Sequence, residues 1–124
     1  MANELIAFKE PGADVTGQAS ATIIGKRFLA ITGNMQTDGS ITVAHATAGG
    51  RITGVSKYDA ASGKKVGVAR GPKVVPVTAG ANIAAFAEVE VGTAGQAITK
   101  ASGVAVGYVE TAATSGADAR VYLY

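Results

Sequence analysis

His45 is the only histidine in the chain and the first residue to weigh for chemistry. A general base needs a nucleophile and an orienting carboxylate beside it, and no local spacing supplies them. The residue ends the run Ile41-Thr42-Val43-Ala44-His45, where strand alternation puts it on one face with Ile41 and Val43. That is the position of a partly buried structural histidine. One histidine and no cysteine also leave a zinc site short of ligands. Glu88 and Glu90 alternate with Val89 and Val91, so both carboxylates are expected on one strand face. Such a pair can do acid–base work or hold Ca²⁺, and on an exposed face it serves solvation. Asp14, Asp38, Asp59 and Asp118 sit in loops rich in Gly, Ala and Thr, where aspartate completes turns.

Nucleotide and acyl chemistry find no better footing. Gly25-Lys26 looks like the end of a phosphate-binding loop, but Ser20 replaces the first glycine and Arg27 the Mg²⁺-binding hydroxyl. Neither G-x-S-x-G nor G-x-G-x-x-G occurs. Lys100 stands in Thr99-Lys100-Ala101. A lysine on a hairpin tip of a β-domain suits a lipoyl or biotinyl carrier, but such carriers present Asp-Lys-Ala or Met-Lys-Met, and Thr99 departs from both. A carrier or small-molecule-binding β-domain therefore stands as the alternative to a structural role. No catalytic, cofactor-binding or metal-binding residue is expected, no cofactor, and no enzyme.

The elements that would position these groups are short. Arg27–Thr32, Ile41–Ala44, Arg51–Ser56, Lys65–Arg70 and Lys73–Val77 read as strands, as do Ala87–Val91, Gln96–Thr99, Val104–Glu110 and Ala119–Tyr124. Glycine pairs such as Asp38-Gly39, Ser62-Gly63 and Ser115-Gly116 punctuate them, at the spacing of a sandwich or barrel. Asp59–Gly63 and Glu110–Gly116 are expected to form one helical turn each. The fold class is all-β: a small β-sandwich or β-barrel with short hairpins, one or two short helical turns and an extended N-terminal arm. The arm is expected over residues 1–25, with Pro11-Gly12 breaking any helix and one strand at Ala19–Ile24. A single β-domain is expected over residues 26–124. A shift of 53 positions superimposes Gly50 on Gly103, Gly54 on Gly107, Ala60 on Ala113, Ser62-Gly63 on Ser115-Gly116 and Val68 on Val121. This reads as two related strand–loop–strand units.

Composition narrows the function classes. Of the 124 residues 48% are hydrophobic, but aromatics are 6% and Trp is absent, so Ala, Val and Ile must fill a thin core. Such a core gains from association with a partner. The net charge is +2, and the basic residues are scattered among acidic ones instead of forming the stripe that nucleic acid requires. No nucleic-acid partner is expected. Met1-Ala2-Asn3-Glu4 lacks the pattern of a signal peptide, and no apolar run approaches the roughly 20 residues of a membrane span, so no membrane partner is expected either.

The order of glycines and small apolar residues carries a resemblance. Ala48-Gly49-Gly50-Arg51-Ile52-Thr53-Gly54-Val55 precedes Asp59–Val68, then Val77-Thr78-Ala79-Gly80-Ala81-Asn82-Ile83, Gly92–Ala97, Val106–Ala112 and Gly116–Leu123. Over residues 40–124 this resembles the capsid decoration (cement) proteins of tailed phages. The chain departs from that pattern at Phe86-Ala87, where a polar or acidic residue is usual, and an exposed Phe86 would point to a packed partner. The resemblance implies a protein made in the host cytoplasm that sits on the outer surface of the virion head. There it would bind the major capsid protein at subunit junctions and stabilise the shell. It also implies a homo-oligomer, a trimer rather than a dimer. Candidate capsid-contacting or partner-contacting residues are Leu5, Ile6, Phe8, Lys9 and Pro11 on the arm, with Phe86.

Overall fold

In a computed structural model, residue 3 and residues 14–124 are described. The first half is a closed five-stranded barrel. It comprises β1 (Val15–Ala19), β2 (Phe28–Ile31), β3 (Ile41–His45), β4 (Gly54–Ser56) and β5 (Lys65–Ala69), in the order β1-β3-β2-β4-β5. β1 lies parallel to β3 and antiparallel to β5, and this double pairing closes the barrel. The second half is a five-stranded sheet of β6 (Val74–Thr78), β7 (Glu88–Val91), β8 (Ala97–Thr99), β9 (Gly107–Val109) and β10 (Asp118–Leu123), in the order β6-β10-β9-β7-β8. Pro76 fits in β6 because that strand is at the sheet's edge and needs few ladder donors.

The two halves are copies of one plan. Phe28 faces Val55 and Leu29 faces Gly54 across β2 and β4; Glu88 faces Tyr108 and Val89 faces Gly107 across β7 and β9. Val15 pairs with Val68 as Val75 pairs with Val121. Ile23 bridges Ala60 as Ile83 bridges Ala113. The parallel seam Ala19–Val43 returns as a single parallel bridge, Ala79–Ala97. The second half is therefore the same barrel with its seam reduced to one bridge. Leu29 falls on Val89, an offset of 60, whereas Gly54 falls on Gly107, an offset of 53. The β2–β3 connection (32–40) is longer than the β7–β8 connection (92–96), which accounts for most of the change.

Small residues are what let such narrow barrels close. A Cβ on Gly54 would meet the Ala69 carbonyl and lie 2.7 Å from Val68 Cγ1; one on Gly107 would meet the Tyr122 carbonyl and lie 2.9 Å from Val121 Cγ1. The repeated glycine is thus a repeated close approach of strands. Each barrel has its own interior. Ala19, Ile23, Leu29, Val43, Ala60, Val66 and Val68 fill the first, and their counterparts Ala79, Ile83, Val89, Ala97, Ala113, Ala119 and Val121 belong to the second core.

Alternation with Leu29 and Val68 turns Phe28 and Ala69 outward from the first barrel, together with Val55 and Ala46. All four are nevertheless buried, in the core of the second half beside Val75, Val91, Val106 and Leu123. That apolar face fastens the two barrels together. Backbone bonds reinforce it: Thr78 N–H donates to Lys26 O, Gly49 N–H to Val91 O, and Val104 N–H to Gly49 O.

Three sequence expectations need correction. The strand expected at Ala19–Ile24 is instead Val15–Ala19, inside the barrel; its inward residues are as small as Gly17 and Ala19, which mutes the periodic signal. Asp59–Gly63 and Glu110–Gly116 are turns, not helical turns. Asp59 spends its side chain on the Gly25 N–H, 2.7 Å away, and Ala60 and Ala113 are held by their bridges to Ile23 and Ile83. Among the described residues the one helical element is a 3₁₀ turn at Thr93–Gly95, made possible by left-handed φ values at Ala94 and Gly95.

Candidate interaction surfaces

Glu88 and Glu90 share a strand but not an environment. Glu88 is exposed and its Oε2 accepts the Tyr124 hydroxyl at 2.7 Å, which holds that phenol above its ordinary range. Glu90 is 5% exposed, so the expected solvated pair does not exist. Its carboxylate accepts the Ala101 N–H and lies over the Cα atoms of Gly49 and Gly103, where the two barrels meet. A buried carboxylate must be hydrogen-bonded, and here it ties the start of the 101–104 segment to β7, while the Val104 N–H reaches Gly49 O of the first barrel.

His45 is half-buried. Its Nε2 accepts the Ile24 N–H at 2.9 Å, and burial keeps the imidazole below its ordinary range, with the Arg27 charge adding to the effect. An acceptor nitrogen has no proton to donate, so His45 is fixed as a structural acceptor in the neutral form. The unfolded chain takes up a proton near pH 6.5 that the fold resists, so stability falls as the pH drops below that value. Asp14 is held below the usual carboxylate range first by Lys57 and then by Lys73, and Asp38 by Lys65. Their contribution is lost only on acidification below about pH 4. The decline between pH 6.5 and 5 therefore belongs to His45. His45→Gln, which keeps an acceptor for Ile24, is expected to flatten it in denaturation midpoints measured across that range.

The cleft between the barrels, about 290 Å³, is lined by Asp14, Lys26, Lys57, Lys73, Val55 and Val75 among others. Its lysines are paired: Lys57 and Lys73 with Asp14 at 2.6 Å each, and Lys26 with Asp118 at 2.8 Å. These ion pairs bridge the junction between the barrels, with Lys57 and Lys73 sharing the single Asp14 carboxylate. Lys100 follows β8, and its N–H donates to Glu88 O, so the carrier alternative lacks the free hairpin tip it requires. Among the described residues no group of three or more His, Cys, Asp or Glu could hold a metal ion, and no helix is long and apolar enough to cross a membrane.

Leu5, Ile6, Phe8, Lys9 and Pro11 lie outside the described residues. Phe86 is 78% exposed, in a left-handed conformation (φ 64°) just before β7. Its ring stands edge-on to Tyr108, with centroids 5.2 Å apart; Tyr108 stacks on Tyr122 at 5.1 Å and tilts towards Tyr124 at 6.2 Å. The outer face of β7, β9 and β10 thus carries a four-ring aromatic patch with Glu88 at its edge. Of these residues the sequence reading found only Phe86 as a contact. Alternation in Val121-Tyr122-Leu123-Tyr124 and Gly107-Tyr108-Val109 held the signal for the rest.

Fold and surfaces together define a class: a tandem β-barrel module with an aromatic patch on its outer face. No protein-family model matches the sequence, and no curated protein does. Among solved structures the chain is similar to the crystal structure of the head fiber gp8.5 N base in bacteriophage phi29, with a TM-score of 0.75 and 23% identity. The match covers 90% of this chain and 92% of that one. What this likeness establishes is the fold, over nearly the whole length of both.

Proposed function

We propose that this chain is a structural protein of a tailed-phage head. It binds the outer surface of the shell where subunits of the major capsid protein meet, and it stabilises the head as a decoration protein or as the base of a fibre. The observation that carries this reading is the near-complete correspondence with a head-fiber base. Two disulfide-free barrels locked by a shared core suit a part that bears load and performs no reaction. The segment before β1 supplies the capsid contact through Leu5, Ile6 and Phe8, with Lys9 and Pro11. Burying each apolar side chain contributes about 1.5–3 kcal/mol before the cost of ordering the segment. Phe86 contacts a further partner, and a homo-oligomer, a trimer before a dimer, would multiply the attachment through avidity.

The test is co-sedimentation of the full chain with expanded heads that lack it. Saturable binding is expected, weakened at least tenfold by deleting residues 1–12. Absence of binding from low to physiological salt would overturn the proposal.

A further inference from the structure

The internal repeat makes a specific statement about the exposed aromatic patch. In the first barrel the outward face of Phe28, Val55, Ala69 and Ala46 is covered by the second barrel. The counterparts of these residues in the second barrel, by the shared strand registers, are Glu88, Tyr108, Tyr122 and Lys100. Lys26 and Phe86, the left-handed residues before β2 and β7, also correspond. The face that docks in one repeat is therefore the face that carries the uncovered rings in the other.

The receiving surface behaves the same way. In the second barrel it includes Glu90, Val91, Val104 and Val106, which meet Gly49, Ala46 and Phe28 of the first. The same positions in the first barrel are Ala30, Ile31, Arg51 and Thr53. With Ile52 they line a hollow of about 370 Å³, and Ile31 there is 56% exposed although its counterpart Val91 is fully buried. One end of the molecule presents an uncovered plug and the other an empty socket of the same design. Aromatic rings with Glu88 on the plug complement aliphatic side chains with Arg51 in the socket.

We infer that the occupant of the aromatic face is the first barrel of a second copy of this chain, docked head to tail as the two barrels dock within one copy. Such a contact is heterologous: it uses different surfaces on the two partners and builds rings or open filaments of three or more copies, not a twofold dimer. The inference rests on the homo-oligomer of the proposed function and names its interface; head binding is tested separately, since a chain that proves monomeric could still bind heads.

Sedimentation equilibrium of the full chain and two exposed-site variants tests it. The wild type is expected at three or more times its 12.3 kDa mass. Phe86→Glu spoils the plug and Ile31→Glu the socket, and each alone is expected at the monomer mass with an unchanged far-ultraviolet dichroism spectrum. Mixed in equal amounts they are expected to form a complex of twice that mass, because one variant keeps a good socket and the other a good plug. Arg51→Glu in place of Ile31→Glu should give the same pattern and guards against a folding defect. A monomeric wild type at all concentrations overturns the inference. So does a mixture that stays monomeric, or an Ile31→Glu protein that stays oligomeric.

Discussion

Phe28→Ala is expected to lower the unfolding free energy by about 3–5 kcal/mol, the cost of emptying a site that holds a fully buried aromatic ring. A domain of this size has only about 5–15 kcal/mol in total, so a large fraction of its margin would go. The size of the effect follows from location. Phe28 is 0% exposed, yet alternation with Leu29 aims it out of its own barrel and into the core it shares with Val75, Val91, Val106 and Leu123. A cavity there weakens both barrels at once and the joint between them. Urea denaturation followed by tyrosine fluorescence and by far-ultraviolet dichroism would read the loss, and Phe28→Leu should recover most of it. A loss below about 1 kcal/mol would mean that the barrels do not depend on this face.

Gly103→Ala should be the next most damaging change, at about 1–3 kcal/mol or more. Its backbone is not left-handed; what forbids a side chain is space. A Cβ would collide with the buried Glu90 carboxylate and come within 2.6 Å of the Gly49 Cα on the other barrel. Gly33→Ala is the control, because the nearest atom to its Cβ would be 3.7 Å away. There the smaller entropy of the unfolded chain should make the change neutral or slightly stabilising. In a double-mutant cycle, Glu90→Ala and Gly103→Ala should cost less together than the sum of the two, since either removal of the carboxylate or relief of the clash serves the same atoms. Strict additivity would show that Glu90 and Gly103 are not packed as described.

The barrel strands were legible because several begin two residues after a glycine with left-handed φ, as β3, β5 and β10 do after Gly39, Gly63 and Gly116. The offset of 53 was also legible, since Gly54 and Gly107 answer the same packing demand in each barrel. The first half of the repeat was hidden for a physical reason. Its offset is 60, and what is conserved there is strand pairing between different side chains: Phe28 against Glu88, Leu29 against Val89. Pairing registers are long-range facts that a local pattern does not carry. Asp59 misled for the same reason, since its partner is Gly25, far away in sequence. The burial of Glu90 follows from the meeting of two barrels, which no strand alternation encodes. The aromatic patch was half visible: Phe86 stood out as a departure, while the tyrosines that complete it blended into ordinary strands.

Electron cryomicroscopy of heads assembled with and without the chain tests the central claim most directly. The account predicts added density on the outer surface at junctions between capsid subunits, with the paired barrels resolved and standing clear of the shell. Density confined to the interior or the tail, or none at saturating protein, would contradict it.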